Sequence, residues 1–180
     1  MYTRYAGATM PTRVPEPVLR PATANDSDAL ADIWYHGWRD GHLGHVPATL
    51  LAYRRPADFR SRMPGQLECT TVATIGERLV GFVTVRADEV EQLYVDAAAR
   101  GTGTAAKLLR FGESAIAATY QRAWLAVVAG NARARRFYER QGWQDRGAMD
   151  YAAATADGGT VVVPSRCYEK IISRPKASSS

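Results

Sequence analysis

The stretch Glu91-Gln-Leu-Tyr-Val-Asp-Ala-Ala-Ala-Arg-Gly-Thr-Gly-Thr-Ala-Ala-Lys-Leu-Leu109 decides how this chain folds. It reads as a strand, a tight glycine-containing loop, and a helix that follows the loop without a break. Gly101 and Gly103, with the small Ala105 two places on, let the backbone come close to a bulky ligand. The first N–H groups of the new helix, Thr104 to Ala106, have no partner within it and carry its partial positive charge, a combination that favours phosphate. Arg100 adds a formal charge beside that nest. The segment predicts a pyrophosphate cradle. A dinucleotide loop of the Rossmann type is a poorer match, because Ala106 stands where its third glycine belongs and no acid occurs between Glu113 and Glu139. A Walker A loop is absent.

Outward from this stretch the pattern is mixed. On the N-terminal side, Val18–Arg20 predicts a short strand, and Thr23-x-x-Asp26 opens a helix that ends near Trp38–Gly41. Pro47 predicts the first residue of a second helix reaching toward Arg55, with Pro56 breaking or restarting it, and Pro64-Gly65 predicts a turn. Residues 69–75 and 79–86 form a hairpin around Gly76-Glu77, followed by a strand over 89–95. On the C-terminal side come a helix over 103–119, an apolar strand over 123–128, and a helix from Asn131 closed by Gly142. A last hairpin joins 143–154 to 160–172 around Asp157-Gly158-Gly159. The class is α+β, a mixed and mostly antiparallel twisted sheet flanked by helices, with 89–95 and 123–128 as parallel neighbours.

A chain of 180 residues is long enough to bury a core without disulfides or metal. The expected layout is a disordered leader over 1–17, in which Met10 offers a second start, one domain over 18–172, and a loose tail over 173–180. Two cysteines, Cys69 and Cys167, set apart in predicted strands, suit a reducing cytoplasmic setting and read as small buried hydrophobes. No run approaches a membrane span and no signal peptide is visible, so no membrane partner is expected. The formal charge is +5, of which residues 1–17 carry +1 and residues 173–180 carry +2, leaving +2 for the domain. That is too mild to make nucleic acid a partner.

Two blocks together resemble the GNAT superfamily of N-acetyltransferases. One is Arg100-Gly101-Thr102-Gly103-Thr104-Ala105, following a strand that ends Leu-Tyr-Val; the other is Asn131-Ala-Arg-Ala134-Arg-Arg-Phe137-Tyr138-Glu-Arg-Gln-Gly142-Trp143. The element order from about Val18 to Ile172 is similar too. Ala97 replaces a proline common in the family, and Ala105 a common glycine. The resemblance implies a sheet whose two central parallel strands splay apart and acetyl-coenzyme A as co-substrate, its pantetheine arm lying in the notch. It further implies that Leu93 and Val95 offer backbone groups to that arm, the Val95 N–H to the thioester oxygen. Arg100, Gly101, Thr102, Gly103, Thr104 and Ala105 hold the pyrophosphate, Asn131 touches pantetheine, and Tyr138 protonates the leaving sulfur. Dimers are common in the family.

Transfer to an amine also needs a base, because an amine of pKa about 10.4 is almost wholly protonated at pH 7. Glu89 and Glu91 share a strand face by the period-two rule and are the candidates, subject to any bulge that shifts the register. His36, Trp38, Asp40 and His42 lie in the region that borders the acceptor site in this family and are candidate substrate contacts. His36, His42 and His45 fit no usual zinc spacing, so no metal is expected. Arg133, Arg135 and Arg136 either reach a phosphate or form a solvated helix face. The expected function is acetyl transfer to a primary amine of a small molecule or peptide by direct attack in a ternary complex. A non-catalytic acyl-coenzyme A sensor and an enzyme acting on aminoacyl-tRNA remain alternatives, the latter disfavoured by the mild charge.

Overall fold

The computed structural model describes residues 15–155 and 157–172. Of the expected leader only 15–17 fall within it, and there the Lys107 ammonium donates to Glu16 Oε1 and to the Pro17 carbonyl. The expected tail lies outside the described residues.

Seven strands form one sheet. They are β1 (Val18–Pro21), β2 (Thr70–Ile75), β3 (Arg78–Arg86), β4 (Glu89–Val95), β5 (Arg122–Val128), β6 (Gln144–Ala154) and β7 (Thr160–Ile171), in the order β1-β2-β3-β4-β5-β7-β6. Only β4 and β5 are parallel; every other neighbouring pair is antiparallel. The expected mixed, mostly antiparallel sheet is therefore present. Two long helices, α1 (Ser27–His42) and α4 (Thr104–Ala117), carry the two cores. Leu108, Leu109 and Ile116 of α4 pack with Val83, Val90 and Leu125. Leu30, Trp34 and Trp38 of α1 pack with Phe59, Phe82 and Val128. Cores of this kind supply most of the stability of such a domain.

The start of α1 follows the Thr23-x-x-Asp26 signal. Asp26 Oδ2 accepts from the Thr23 N–H and hydroxyl, each at 2.8 Å, and Arg20 forks onto both carboxylate oxygens at 2.7 and 2.8 Å. Led by the Arg20 hydrogen bonds, these contacts hold the Asp26 carboxyl well below its ordinary pKa. A depressed folded value means the stabilisation is present at neutral pH and disappears as the pH falls below the ordinary carboxylate range. Asp26→Ala is expected to lower unfolding free energy by about 1–2 kcal/mol near pH 7, and by less in acid, as read by urea denaturation.

Two expectations between the first helix and β2 are corrected. The helix expected to reach from Pro47 to Arg55 is a single turn, α2 (Ala48–Leu51), while Pro56, expected to break or restart it, does restart the chain as a separate α3 (Pro56–Arg62). Arg55 precedes that proline and is extended, with ψ 159°, the conformation a following proline imposes. Pro64-Gly65 is not a lone turn but part of a 3-10 segment over Met63–Cys69, which leaves Cys69 outside β2. The Thr70 hydroxyl donates to the Gln66 carbonyl at 2.7 Å and fixes that segment. Both cysteines are free and half-buried. No described helix is long and apolar enough to cross a membrane.

Candidate functional site

At the centre of the sheet the ladder is interrupted. β5 pairs with β7 along its whole length, yet it meets β4 only where Glu89 lies opposite Trp124. Beyond that point the two strands diverge. Asp96 donates its N–H to the Val80 carbonyl at 2.9 Å, and Tyr94 and Gln92 stand opposite Phe82 and Thr84. The pleat turns the peptide groups of these even positions toward β3, and those of Leu93 and Val95 toward the gap.

Both arms of the gap run into the start of a helix. Past β4 the chain makes a turn over Ala97–Ala99 and enters α4 through Gly101 (φ +81°) and Gly103 (φ +86°). Beyond their chain neighbours, no described residue lies within 4 Å of a Cβ built on either glycine, so left-handed backbone rather than crowding demands glycine there. Gly103 is the cap residue, and among the described residues no side chain caps the helix. The Thr102 hydroxyl donates to the Ala99 carbonyl and meets the Thr104 hydroxyl, both at 2.7 Å, which braces the loop from within. Past β5 the chain enters α5 (Ala132–Arg140), where Asn131 Oδ1 accepts from the Ala134 N–H at 3.0 Å.

A cavity of about 360 Å³ opens between the diverging strands, with α1 on one side and β6 and β7 behind. The close fit of α1 follows from its glycines. A Cβ at Gly37 would lie 2.5 Å from the Tyr94 ring, and one at Gly41 would lie 2.7 Å from Asn131 Nδ2. A larger residue at Gly37 would press on the Tyr94 ring, and one at Gly41 would displace the Asn131 amide.

Of the residues singled out from sequence, Trp38, His42, Glu89, Glu91, Leu93, Asn131 and Tyr138 line this cavity. The loop residues Arg100, Gly101, Thr102, Gly103, Thr104 and Ala105 and Val95 are not among its lining residues; the loop joins the end of β4 to α4, and Val95 packs its side chain toward α4. His36 and Asp40 are exposed and outside the cavity. The buried stripe of α1 runs through Leu30, Trp34, Trp38 and Gly41, and residues 36 and 40 each sit two positions from a member of it, on the far side of the helix. Asp40 instead accepts from Arg100 Nη2 at 2.6 Å, tying the end of α1 to the loop before α4. Arg135 is occupied by the Tyr168 hydroxyl, the Ala129 carbonyl and Asp145.

The strand carboxylates are arranged by a bulge. Against β3, Gln92 pairs with Thr84 while Val90 pairs with Val85, which leaves Glu91 as the extra residue of β4. Val90, Leu93 and Val95 consequently pack toward α4, whereas Tyr94 packs toward α1. Simple alternation, which puts Glu89 and Glu91 on one face with Leu93 and Val95, fails beyond Glu91. Glu89 accepts from the Tyr151 hydroxyl at 3.3 Å, and burial, then the nearby Glu91 charge, pushes its pKa up to about 7. Glu91 is held by Arg86 Nε at 2.7 Å.

Tyr138 packs its ring against Phe137, Trp143 and Tyr168. Its hydroxyl has no hydrogen-bond partner among the described residues, and burial raises its pKa, so it stays protonated at neutral pH. His42 stacks on Trp38 with ring centroids 4.8 Å apart, and its Nδ1 lies 2.8 Å from the Trp38 carbonyl. Burial pushes its pKa down to about 4 and keeps it neutral. No group of three or more His, Cys, Asp or Glu side chains suited to a metal occurs among the described residues.

Among the lining residues that sequence reasoning missed are Gln92, Arg54, Arg62 and Tyr151. Gln92 is 6% exposed, and its Oε1 is buried without a hydrogen-bond partner. An amide directly before the apolar Leu93-Tyr94-Val95 end of β4 was the available signal. The other three reach the cavity from segments distant in sequence.

The family model for the acetyltransferase (GNAT) family matches residues 28–143. No curated protein matches the sequence. Among solved structures, the fold is similar to the GCN5-related N-acetyltransferase from Rhodopseudomonas palustris, at 21% identity and TM-score 0.68 over 89% of this chain and 99% of that one. It is also similar to YncA from Salmonella typhimurium with its cofactor acetyl-CoA, at 14% identity and TM-score 0.63 over 92% and 99%. The PaiA N-acetyltransferase from Thermoplasma acidophilum in complex with coenzyme A shows 15% identity and TM-score 0.59 over 87% and 99%.

Proposed function

The chain belongs to the acetyltransferase (GNAT) family, and on that premise we propose that it moves an acetyl group from acetyl-coenzyme A to a primary amine by direct attack within a ternary complex. The observation that carries this reading is the single pairing position between β4 and β5, which leaves peptide groups open beside an uncapped helix start. A long, amide-bearing carrier with a pyrophosphate fits both features: its amides can complete the open ladder and its phosphates can neutralise the helix end. Leu93, Val95 and Asn131 would hold the arm and residues 100–105 the phosphates. The bound co-substrate supplies an activated acyl group.

Each remaining requirement falls to a residue of the chain. Glu89, with its pKa near 7, accepts a proton from the incoming ammonium, directly or through water. The Val95 N–H, aimed into the gap, offers a fixed donor to the oxygen on which charge develops. The Tyr138 hydroxyl, protonated and without another partner among the described residues, gives its proton to the departing sulfur. Neither cysteine lines the cavity, and burial raises the pKa of the Cys167 thiol, which supports direct attack over an acyl-enzyme.

Release of free thiol from acetyl-coenzyme A, measured with small amines, aminoglycoside-type amines, peptide N-termini and lysine side chains, tests this reading. Amine-dependent release supports it. Coenzyme A binding without release from any class would leave a binding module in its place. The phosphate loop gives a second check. Gly103→Val forces a β-branched residue to φ +86° at a cost of about 1–3 kcal/mol, and is expected to weaken coenzyme A binding in calorimetry while the far-ultraviolet circular dichroism stays unchanged.

A further inference from the structure

Four arginines in and beside α3 divide into two kinds. Arg55 and Arg60 face outward and have carboxylate partners, Asp58 at 3.3 Å and Asp32 at 3.0 Å. Arg54 and Arg62 line the cavity, and among the described residues neither has a carboxylate within 4 Å, the charges of Asp58 and, for Arg62, Glu91 acting from farther off. Arg54 is only 8% exposed, and its charge meets the Tyr53 and Ala154 carbonyls at 2.9 Å and the face of Trp38. Arg62 lies over Trp34, 4.9 Å from the ring centroid, and makes no hydrogen bond among the described residues. Burial, and for Arg54 also the proximity of Arg62, lowers the pKa of each.

Two guanidiniums held against tryptophan faces in one cavity, Arg62 without a hydrogen bond among the described residues and Arg54 bonded only to the Tyr53 and Ala154 carbonyls, form an arrangement that an oxyanion completes. Buried charge is costly unless paired. On the same cavity wall, Glu89, Glu91 and the unpartnered Gln92 Oε1 supply only acceptors, which suit an ammonium or amine N–H. We infer that the acceptor is an amine that also carries an oxyanion, its amine facing Glu89 and Gln92 and its carboxylate or phosphate taken by Arg62 and Arg54. This inference rests on the acetyl-transfer reading for the amine's fate, but not for its binding. It sets aside polycations and neutral amines as preferred acceptors, since both would leave the two arginines unanswered.

The test uses the full chain with coenzyme A bound and reads calorimetric affinity alongside thiol release from acetyl-coenzyme A. The probes are the protein amino acids and phosphoethanolamine, set against the matched α-carboxamides, ethanolamine and spermidine. At least one oxyanion-bearing amine is expected to bind about 10- to 100-fold more tightly than its uncharged counterpart, the size of one lost charge-assisted hydrogen-bond pair. Whether carboxylates or phosphoethanolamine show that advantage identifies the anion. Arg62→Gln is expected to erase the difference and Arg62→Lys to keep part of it. Equal affinity for charged and uncharged partners, preference for spermidine, or failure of every oxyanion-bearing amine to bind would overturn the inference. Binding with that preference but without thiol release would uphold it and remove the transfer reading instead.

Discussion

Replacing Tyr138 with Phe is expected to lower kcat by about 10²- to 10⁴-fold, the usual contribution of a positioned acid, with the Kd for coenzyme A unchanged. The substitution removes one oxygen and nothing else. That oxygen bonds to no described residue, while the ring remains wedged among Phe137, Trp143 and Tyr168. Folding should therefore be unaffected, and the loss should fall on the chemical step alone. Single-turnover thiol release and calorimetry on the same preparation separate the two quantities. A turnover equal to that of the native protein would remove Tyr138 from the reaction and pass protonation of the sulfur to solvent. Because burial raises the tyrosine pKa, its proton is retained through mildly alkaline pH, and no falling limb in the rate is expected there from this group.

The second large effect concerns Glu89, whose replacement by Gln is expected to cost activity and add stability at the same pH. Its pKa is raised from 4.5 to about 7, first by burial and then by Glu91. The unfolded chain therefore ionises before the folded one. Stability is highest below the ordinary carboxyl value and falls as the pH rises from 4.5 through 7. Glu89→Gln removes that fall, so the variant should melt at a higher temperature than the native protein at pH 8 and with it at pH 4. Conversely, kcat/KM of the native protein should rise with pH around 7, as the carboxylate becomes able to take a proton. In the variant that limb should vanish, with kcat/KM lower by about 10²- to 10⁴-fold at pH 8. A variant that keeps the native pH profile would hand the base to another group, and His42, neutral and lining the same cavity, would be the first to examine.

How far the sequence carried this picture depended on whether the deciding contacts were local. The span of β4 and the Thr23–Asp26 capping box that leads into α1 were legible because each is written within a few neighbouring residues. The α2 region was not, because its short helix gives way where Arg54 reaches Ala154, a hundred residues away. The faces of β4 were half legible: alternation places Glu89 correctly, but the extra residue at Glu91 reverses every position after it, and nothing in the composition marks a bulge. His36 and Asp40 were set among the acceptor contacts by resemblance, although the helical period of Leu30, Trp34 and Trp38 already turns them outward. Arg54 and Arg62 looked like ordinary basic residues near a proline. Only the fold shows that their neighbours take the carboxylates and leave these two facing inward.

The unpaired stretch between β4 and β5 carries one more consequence. Bare strand margins usually sit on a protein's outside, where they invite other chains to add on and aggregate. Here the margins face each other in the interior, roofed by α1 through the Gly37 and Gly41 contacts and floored by α4. A second sheet cannot add to them side by side, because β3 and β7 already flank the pair on the outside. The domain thus holds an adhesive surface for a guest that enters the cavity, and shields it from its own kind.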